Sequence, residues 1–283
     1  GDDRDEILHC AASQGMLSDV QALLAEGRFS YDLPDRFGRT PLHWAAEQGY
    51  RNVVLTLLRA GACVDPRSER KSTPIMLAAS KGHTEVVVVL LHHRAGASDL
   101  GPLHRHRSGV GPPRSTALHY AAAGGHARVV KILLDAGILL KAGANPNISD
   151  YLGTCPLHIA AFGGRGQMVS DLLEAGADKE VLTFWGESPL HRAVMNNRLD
   201  VVSMLLKAGA STEHRDDTLG QTPLSWACKG CLAHIVRVLV EGGADVESRS
   251  SAGLTPLHWA CRFIDAESVE ALLTAGADPG AVD

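Results

Sequence analysis

Histidine and cysteine are the residues here with the widest chemical range, and the chain carries fourteen of the first and six of the second. Cys228 and Cys231 form a C-x-x-C pair. No second pair and no nearby His-x-x-x-His completes the spacing of a structural zinc site. A second concentration lies at 92–114, where His92, His93, His104 and His106 sit with Arg94, Arg105, Arg107 and Arg114 against one acid, Asp99. Such a basic island could ligate a metal or bind an anionic partner segment. Gly101, Pro102, Gly109, Gly111, Pro112 and Pro113 interrupt any regular element there, which favours a solvated excursion. No serine stands in a G-x-S-x-G setting, and no phosphate-cradling glycine run is followed by Lys and Ser or Thr. The residues therefore predict no enzyme, no cofactor and no resident metal.

Six of the histidines, His9, His43, His119, His158, His191 and His258, recur in one setting: PLHWAA, ALHYAA, PLHIAA, PLHRAV and PLHWAC, with LHCAA at the start. QTPLSWACKGC at Gln221 belongs to the same series, and the degenerate copies at Glu6 and Ser72 complete it at eight. The preceding apolar residues, Leu8, Leu42, Ile75, Leu118, Leu157, Leu190, Leu224 and Leu257, are separated by 34, 33, 43, 39, 33, 34 and 33 residues. The period is 33, and it was selected for architecture rather than for a single reactive histidine. Two gaps break it. One holds the basic island, and the other a six-residue insertion near 137–143 that resembles a duplicated helix end and is expected to change the stacking there.

The elements follow from the second copy. Thr40 can cap a helix that opens on Pro41, Leu42, Ala45 and Ala46 give that helix a small apolar face, and Gly49 ends it. Val53, Val54, Leu57 and Leu58 then recur at helical spacing, closed by Gly61. One repeat is a helix pair, and it buries its apolar face only by stacking on neighbours.

These motifs resemble the ankyrin repeat, whose signature is a T-P-L-H-x-A-A run, a glycine, a V-V-x-x-L-L helix and a G-A-D/N turn. The resemblance covers the whole chain. It implies an all-α repeat solenoid of helix-turn-helix units joined by β-hairpin loops, with eight repeats at about 4–34, 38–67, 71–100, 114–148, 152–182, 185–215, 219–249 and 252–283 in a single array over 1–283. A further repeat is expected beyond Asp283. The motif histidine then makes structural hydrogen bonds, Gly163, Gly164 and Gly166 are turn residues rather than a dinucleotide fingerprint, and Cys228 and Cys261 are small buried thiols in the alanine slot. Cys231 takes the slot of Gly49, exposed enough to oxidise.

The resemblance also implies a protein-binding module that uses its hairpin tips and the open face of its first helices. The slots that the framework leaves free carry Trp44, Tyr120, Arg192, Trp226 and Trp259 after the motif histidine, and Phe37, Tyr151, Phe184 and Trp185 at the tips. These are the expected partner contacts, because aromatic residues and arginine dominate interface hot spots; Trp44, Trp226 and Trp259 equally fit a framework role, leaning partly buried on neighbouring repeats. The expected function is a non-catalytic scaffold or adaptor for a polypeptide; the alternative is the substrate-recruiting region of a longer enzyme or channel, such as a kinase, ubiquitin-ligase adaptor or acyltransferase. A formal charge of −5, from 27 basic and 32 acidic residues, gives no global field for nucleic acid. No apolar run is long enough to span a bilayer. A monomer in an intracellular compartment, cytoplasmic or nuclear, is expected from the scattered cysteines and the family.

Overall fold

The computed structural model describes residues 3–27, 30–96, 115–140 and 144–282. Its helices come in pairs, and the chain divides into two compact units, Gly1–Tyr151 and Leu152–Asp283. The first unit contains α1 (Asp3–Gln14), α2 (Leu17–Ala25), α3 (Pro41–Gln48), α4 (Arg51–Arg59), α5 (Pro74–Lys81), α6 (Thr84–His92), α7 (Ala117–Gly124) and α8 (Ala127–Leu140). The second contains α9 (Pro156–Gly163), α10 (Gly166–Glu174), α11 (Pro189–Met195), α12 (Leu199–Lys207), α13 (Pro223–Lys229), α14 (Ala233–Glu241), α15 (Pro256–Arg262) and α16 (Ala266–Thr274). Within each unit, first helices pack on first helices and second on second, so the core runs along the stack. Leu42, Ala45, Ala46, Val53, Val54 and Leu57 are fully enclosed, and their counterparts in later pairs repeat the arrangement.

The Thr-Pro-Leu-His run builds the joint between pairs. Thr40 is extended and Pro41 opens α3 without sacrificing an intrahelical donor. The Thr40 backbone N–H donates to His43 Nδ1 at 3.0 Å, which leaves Nε2 as the protonated nitrogen of a neutral ring. His43 Nε2 donates to the Ser72 carbonyl at 3.0 Å, at the entrance of the next pair. His9 reaches the Arg39 carbonyl, His158 that of Glu187 and His191 that of Gln221 at 3.0–3.1 Å. Cys155 replaces the threonine before His158 and keeps the contact, its thiol 3.0 Å from Nδ1. Where Ser225 replaces the histidine, hydroxyls carry the connection: Thr222 Oγ1 lies 3.4 Å from Ser225 Oγ and 3.2 Å from Ser248 Oγ. Where Met76 replaces it, Thr73 Oγ1 is buried with no hydrogen-bond partner.

Two features depart from expectation, and a third extends to Asn197 and Ile264 what was expected of Cys231. No strand forms among the described residues: each loop is a tight turn, as where the Asp35 N–H donates to the Arg39 carbonyl, and neighbouring tips share a single backbone bond, Glu69 N–H to Phe37 O at 3.0 Å. Cys228 is buried, but Cys261 is exposed: among the described helices α15 packs on α13 and α16, and the thiol lies outside both contacts. The left-handed turn slot filled by Gly49 and Gly82 is taken in the last three pairs by Asn197, Cys231 and Ile264, all at positive φ. The six-residue insertion lengthens the helix yet keeps one closing bond. Ala62 N–H donates to Leu57 O, and Ala177 N–H to Leu172 O; in the inserted repeat Ala144 N–H still donates to Leu133 O, with the extra residues between the partners. There α8 continues to Leu140 instead of ending at Ala136.

The orphaned hydroxyl gives a paired test. Thr73→Val removes a buried group without a partner and is expected to leave stability unchanged or raise it by up to about 1 kcal/mol. Thr40→Val removes the cap that serves His43 and is expected to cost about 1–2 kcal/mol, both measured as shifts in urea midpoint.

Candidate partner-binding site

In the first unit, Asp35 organises the site. Its Oδ1 accepts the N–H groups of Phe37 and Arg39 at 2.8 and 2.9 Å, which shapes the tip, and its Oδ2 accepts the Trp44 indole N–H at 2.9 Å. Burial alone would raise this carboxyl, but those donors outweigh it and hold Asp35 below the ordinary carboxylate range. The Arg39 guanidinium stacks over Trp44 at 4.7 Å and pairs with Glu47 at 2.6 Å. Phe37 stands 48% exposed at the tip with Arg36 over its ring at 4.7 Å. Tyr120 is half-buried on α7, and Tyr151 is exposed.

The second unit repeats the clamp. Asp216 accepts the amides of Thr218 and Leu219 and, at 2.6 Å, the Trp226 indole N–H. Its carboxyl too would be raised by burial and is held low by these bonds. Arg192 pairs with Glu187 at 2.7 Å and lies 5.9 Å from the Trp185 ring. Burial raises the Glu187 carboxyl against the pull of Arg192. Lys229 sits 5.4 Å from the Trp226 ring and 5.6 Å from that of Trp259. Trp259 itself is only 8% exposed, stacked on Phe263, and offers little surface to a partner. The tips present the opposite extreme: Phe184 is 70% and Trp185 40% exposed. Their backbones are held, with Phe184 N–H donating to Leu152 O at 2.9 Å and Asp217 N–H donating to Trp185 O at 2.8 Å.

The structure thus gathers Phe37 with Trp44 in one unit, and Trp185 with Arg192 and Trp226 with Trp259 in the other. Sequence reading missed the two aspartates that pin the tryptophans. It also missed a second set of bridges, in which His83 Nε2 reaches Glu47 O at 2.9 Å and His126 Nε2 reaches Ser80 O at 3.1 Å across successive pairs. A third set uses carboxylates: Asp32, Glu180, Glu213 and Glu247 accept backbone N–H groups of the following repeat. Both sets of bridges recur with the period, which is the signal that could have found them. His92, His93 and Arg94 are exposed at the end of α6, while His104, Arg105, His106 and Arg107 lie outside the described residues. Among the described residues no group of His, Cys, Asp or Glu is arranged to hold a metal ion. No described helix is long and apolar enough to cross a membrane.

The clamp is incomplete once. Ser250 occupies the turn slot of Asp35, its hydroxyl accepting from Leu254 N–H, and the buried Trp259 Nε1 has no partner. Ser250→Asp should supply the missing acceptor and raise stability by about 1 kcal/mol in chemical denaturation, whereas the same change paired with Trp259→Phe should bring no gain.

Comparison with known proteins follows the geometry. Sequence models of ankyrin repeats match residues 1–68, 63–138, 136–216 and 190–283. The chain is 31% identical over 179 residues to inversin of Mus musculus, covering 54% of this chain and 16% of inversin. It is 35% identical over 130 residues to a probable E3 ubiquitin-protein ligase of Oryza sativa subsp. japonica, covering 46% of this chain and 24% of the ligase. Among solved structures, the ankyrin repeat domain of Bcl-3 superposes with a TM-score of 0.66 at 29% identity, covering 82% of this chain and 96% of that one. The chain thus spans less than a quarter of the length of these curated relatives, while matching nearly all of a solved repeat domain. With family matches from end to end and the repeated Thr-Pro-Leu-His joint, the chain belongs to the ankyrin-repeat family.

Proposed function

We propose that this chain is a protein-interaction scaffold or adaptor: a non-catalytic binding module that recognises a polypeptide segment with its turn tips and the open face of its first helices. Ankyrin repeats are generally protein-interaction domains, and the contact residues proposed here are Phe37, Trp44, Tyr120, Tyr151, Phe184, Trp185, Arg192 and Trp226, with Trp259 supporting Lys229 from below. One observation carries the reading. Phe184 and Trp185 hold large apolar surface in water on a tip whose backbone is fixed by hydrogen bonds to Leu152 and Asp217. Folding gains little from such exposure, whereas a partner that covers it gains on the order of 2 kcal/mol for each well-desolvated anchor. Because the tips are ordered beforehand, little of that gain is spent on arranging them.

A second reading has its own support. The similar proteins include a probable ubiquitin ligase and, at 35% identity over 135 residues, a transient receptor potential cation channel of Homo sapiens, of which this chain covers 11%. The same surface would then recruit a substrate or regulator to a longer enzyme or channel.

Phe184→Ser should change unfolding stability by no more than about 0.5 kcal/mol, since its side chain is largely solvated, whereas Trp185→Ser uncovers a more than half-covered ring and should cost about 1–3 kcal/mol while leaving the chain folded. Capture of partners from native lysate should be lost with these two changes. A folded double variant that retains every partner of the parent chain would move the binding surface elsewhere.

A further inference from the structure

Apolar surface and negative charge meet on the tips of the second unit. The loops that precede α9, α11, α13 and α15 are joined tip to tip by backbone bonds: Phe184 N–H to Leu152 O, Asp217 N–H to Trp185 O and Ser251 N–H to Leu219 O, at 2.8–2.9 Å. Along that row Phe184, Trp185 and Leu219 are exposed, as is Leu182 in the same loop as Phe184. Asp217 is exposed where the Trp185 tip meets the next one, and among the described residues its carboxylate has neither a hydrogen-bond donor nor an ion-pair partner. A Cβ placed on Gly186 would come within 3.0 Å of Asp217 Oδ1, so the carboxylate sits against the residue that follows Trp185.

The surrounding charge is one-sided. In the loop 175–188 Asp178, Glu180 and Glu187 outnumber Lys179, and in the loop 208–222 Glu213, Asp216 and Asp217 outnumber Arg215. Arg192 pairs with Glu187 and His214 contacts Glu180, yet the acidic excess remains. Residues 152–283 hold 17 Asp and Glu against 10 Lys and Arg, a formal charge of −7, whereas residues 1–151 hold 15 against 17. All of the chain's net negative charge therefore lies in the unit that carries Phe184 and Trp185. Such a field repels an acidic segment or a nucleic-acid backbone and draws in one that bears lysine or arginine. Exposed rings beside a free carboxylate suit both parts of a basic segment: apolar side chains and the stems of Lys or Arg cover the rings, and the cationic heads reach the carboxylate.

We infer that the tip row of the second unit binds a basic polypeptide segment, an apolar side chain covering Phe184 and Trp185 while a neighbouring lysine or arginine pairs with Asp217. This rests on reading the tips as a partner surface and adds the chemistry of the partner.

The test uses the full chain and three fluorescein-labelled probes: a short peptide of alternating Lys and Leu, its counterpart with Glu for Lys, and an oligothymidylate of similar length. Fluorescence anisotropy at low salt is expected to show the basic peptide bound at least about tenfold tighter than the other two, equivalent to about 1.4 kcal/mol. Asp217→Lys and Phe184→Ser should each weaken the basic peptide by a factor of about five or more. Glu270→Lys, exposed on α16, makes the same change in net charge away from these tips and should leave binding within about twofold. All three variants alter exposed side chains, so circular dichroism and melting should match the parent. Equal or tighter binding of the acidic peptide or the oligonucleotide overturns the inference, as does indifference to Phe184→Ser. Equal weakening by Asp217→Lys and Glu270→Lys also overturns it, since the attraction would then follow net charge alone. If Asp217→Lys keeps every lysate partner that the Phe184 and Trp185 variant loses, the basic-segment inference fails while the scaffold reading stands.

Discussion

A neutral imidazole held at both ring nitrogens is the constraint on which the rest of this molecule depends. Nδ1 accepts the backbone N–H of the capping residue within its own repeat, and Nε2 donates to a carbonyl of the next. One side chain thereby fixes the start of a helix and the spacing to its neighbour. Both nitrogens must be served at once, and only one tautomer can serve them. The buried alanines then set how closely first helices approach, and the leucines and valines of the second helices fill the space behind them. Stability accumulates from one interface to the next, as expected of stacked repeats.

Once the joints are made by Thr, Pro, Leu, His, Ala and Gly, the other positions are released, and function lives in what remains. The structure sorts the aromatic residues found there into two kinds. Trp44 and Trp226 are half framework: each indole N–H is bound to the aspartate that shapes its own tip, so the ring orientation is fixed and only part of its surface is open. Phe37, Phe184 and Trp185 have backbones fixed by hydrogen bonds and rings that reach water, Phe184 the most, with Arg36 beside the Phe37 ring and Arg192 beside that of Trp185. A recognition surface assembled this way is stiff before it meets a partner, and affinity and selectivity come from side chains that the fold does not need.

Much of the fold could be read from spacing, because every repeat had to solve the same packing problem and wrote the same residues to do so. The helix pairs, the enclosed Leu42 and Leu157, the glycine turns at Gly49 and Gly164 and the structural role of the histidines were all legible. What escaped reading depends on end effects and on pairs of variable positions. Cys261 occupies a slot that is buried at Ala46 and Cys228, yet is exposed on the side of α15 away from α13. The aspartate clamps were hidden because Asp35 and Asp216 stand at slightly different distances from their tryptophans, the second displaced by the extra residue of a 34-residue gap. The loops form turns rather than strands because a single bond joins neighbouring tips, too few for a ladder. The insertion at 137–143 was visible as a gap in the period, but that the helix closure survives it became clear only from the Ala144 bond to Leu133.

Titration of the histidine ladder tests the central claim most directly. Burial lowers the pKa of His43 and brings that of His191 down to about 4. A protonated ring would present an N–H to the capping amide in place of a lone pair, so the folded state resists protonation. In the unfolded chain these rings protonate near the ordinary imidazole value of about 6.5. The unfolded state therefore binds more protons between those values, and stability falls as the pH drops from about 6.5 to 4. A single ring so displaced contributes on the order of 3 kcal/mol across that window. The measurement is urea unfolding from pH 7.5 to 3.5 with imidazole nitrogen NMR on the folded chain. The expected result is an Nε2–H tautomer for His43 and His191, persisting below pH 6 for His191, while the urea midpoint declines. Rings that titrate near 6.5 in the folded protein, with a midpoint flat across the same range, would contradict it.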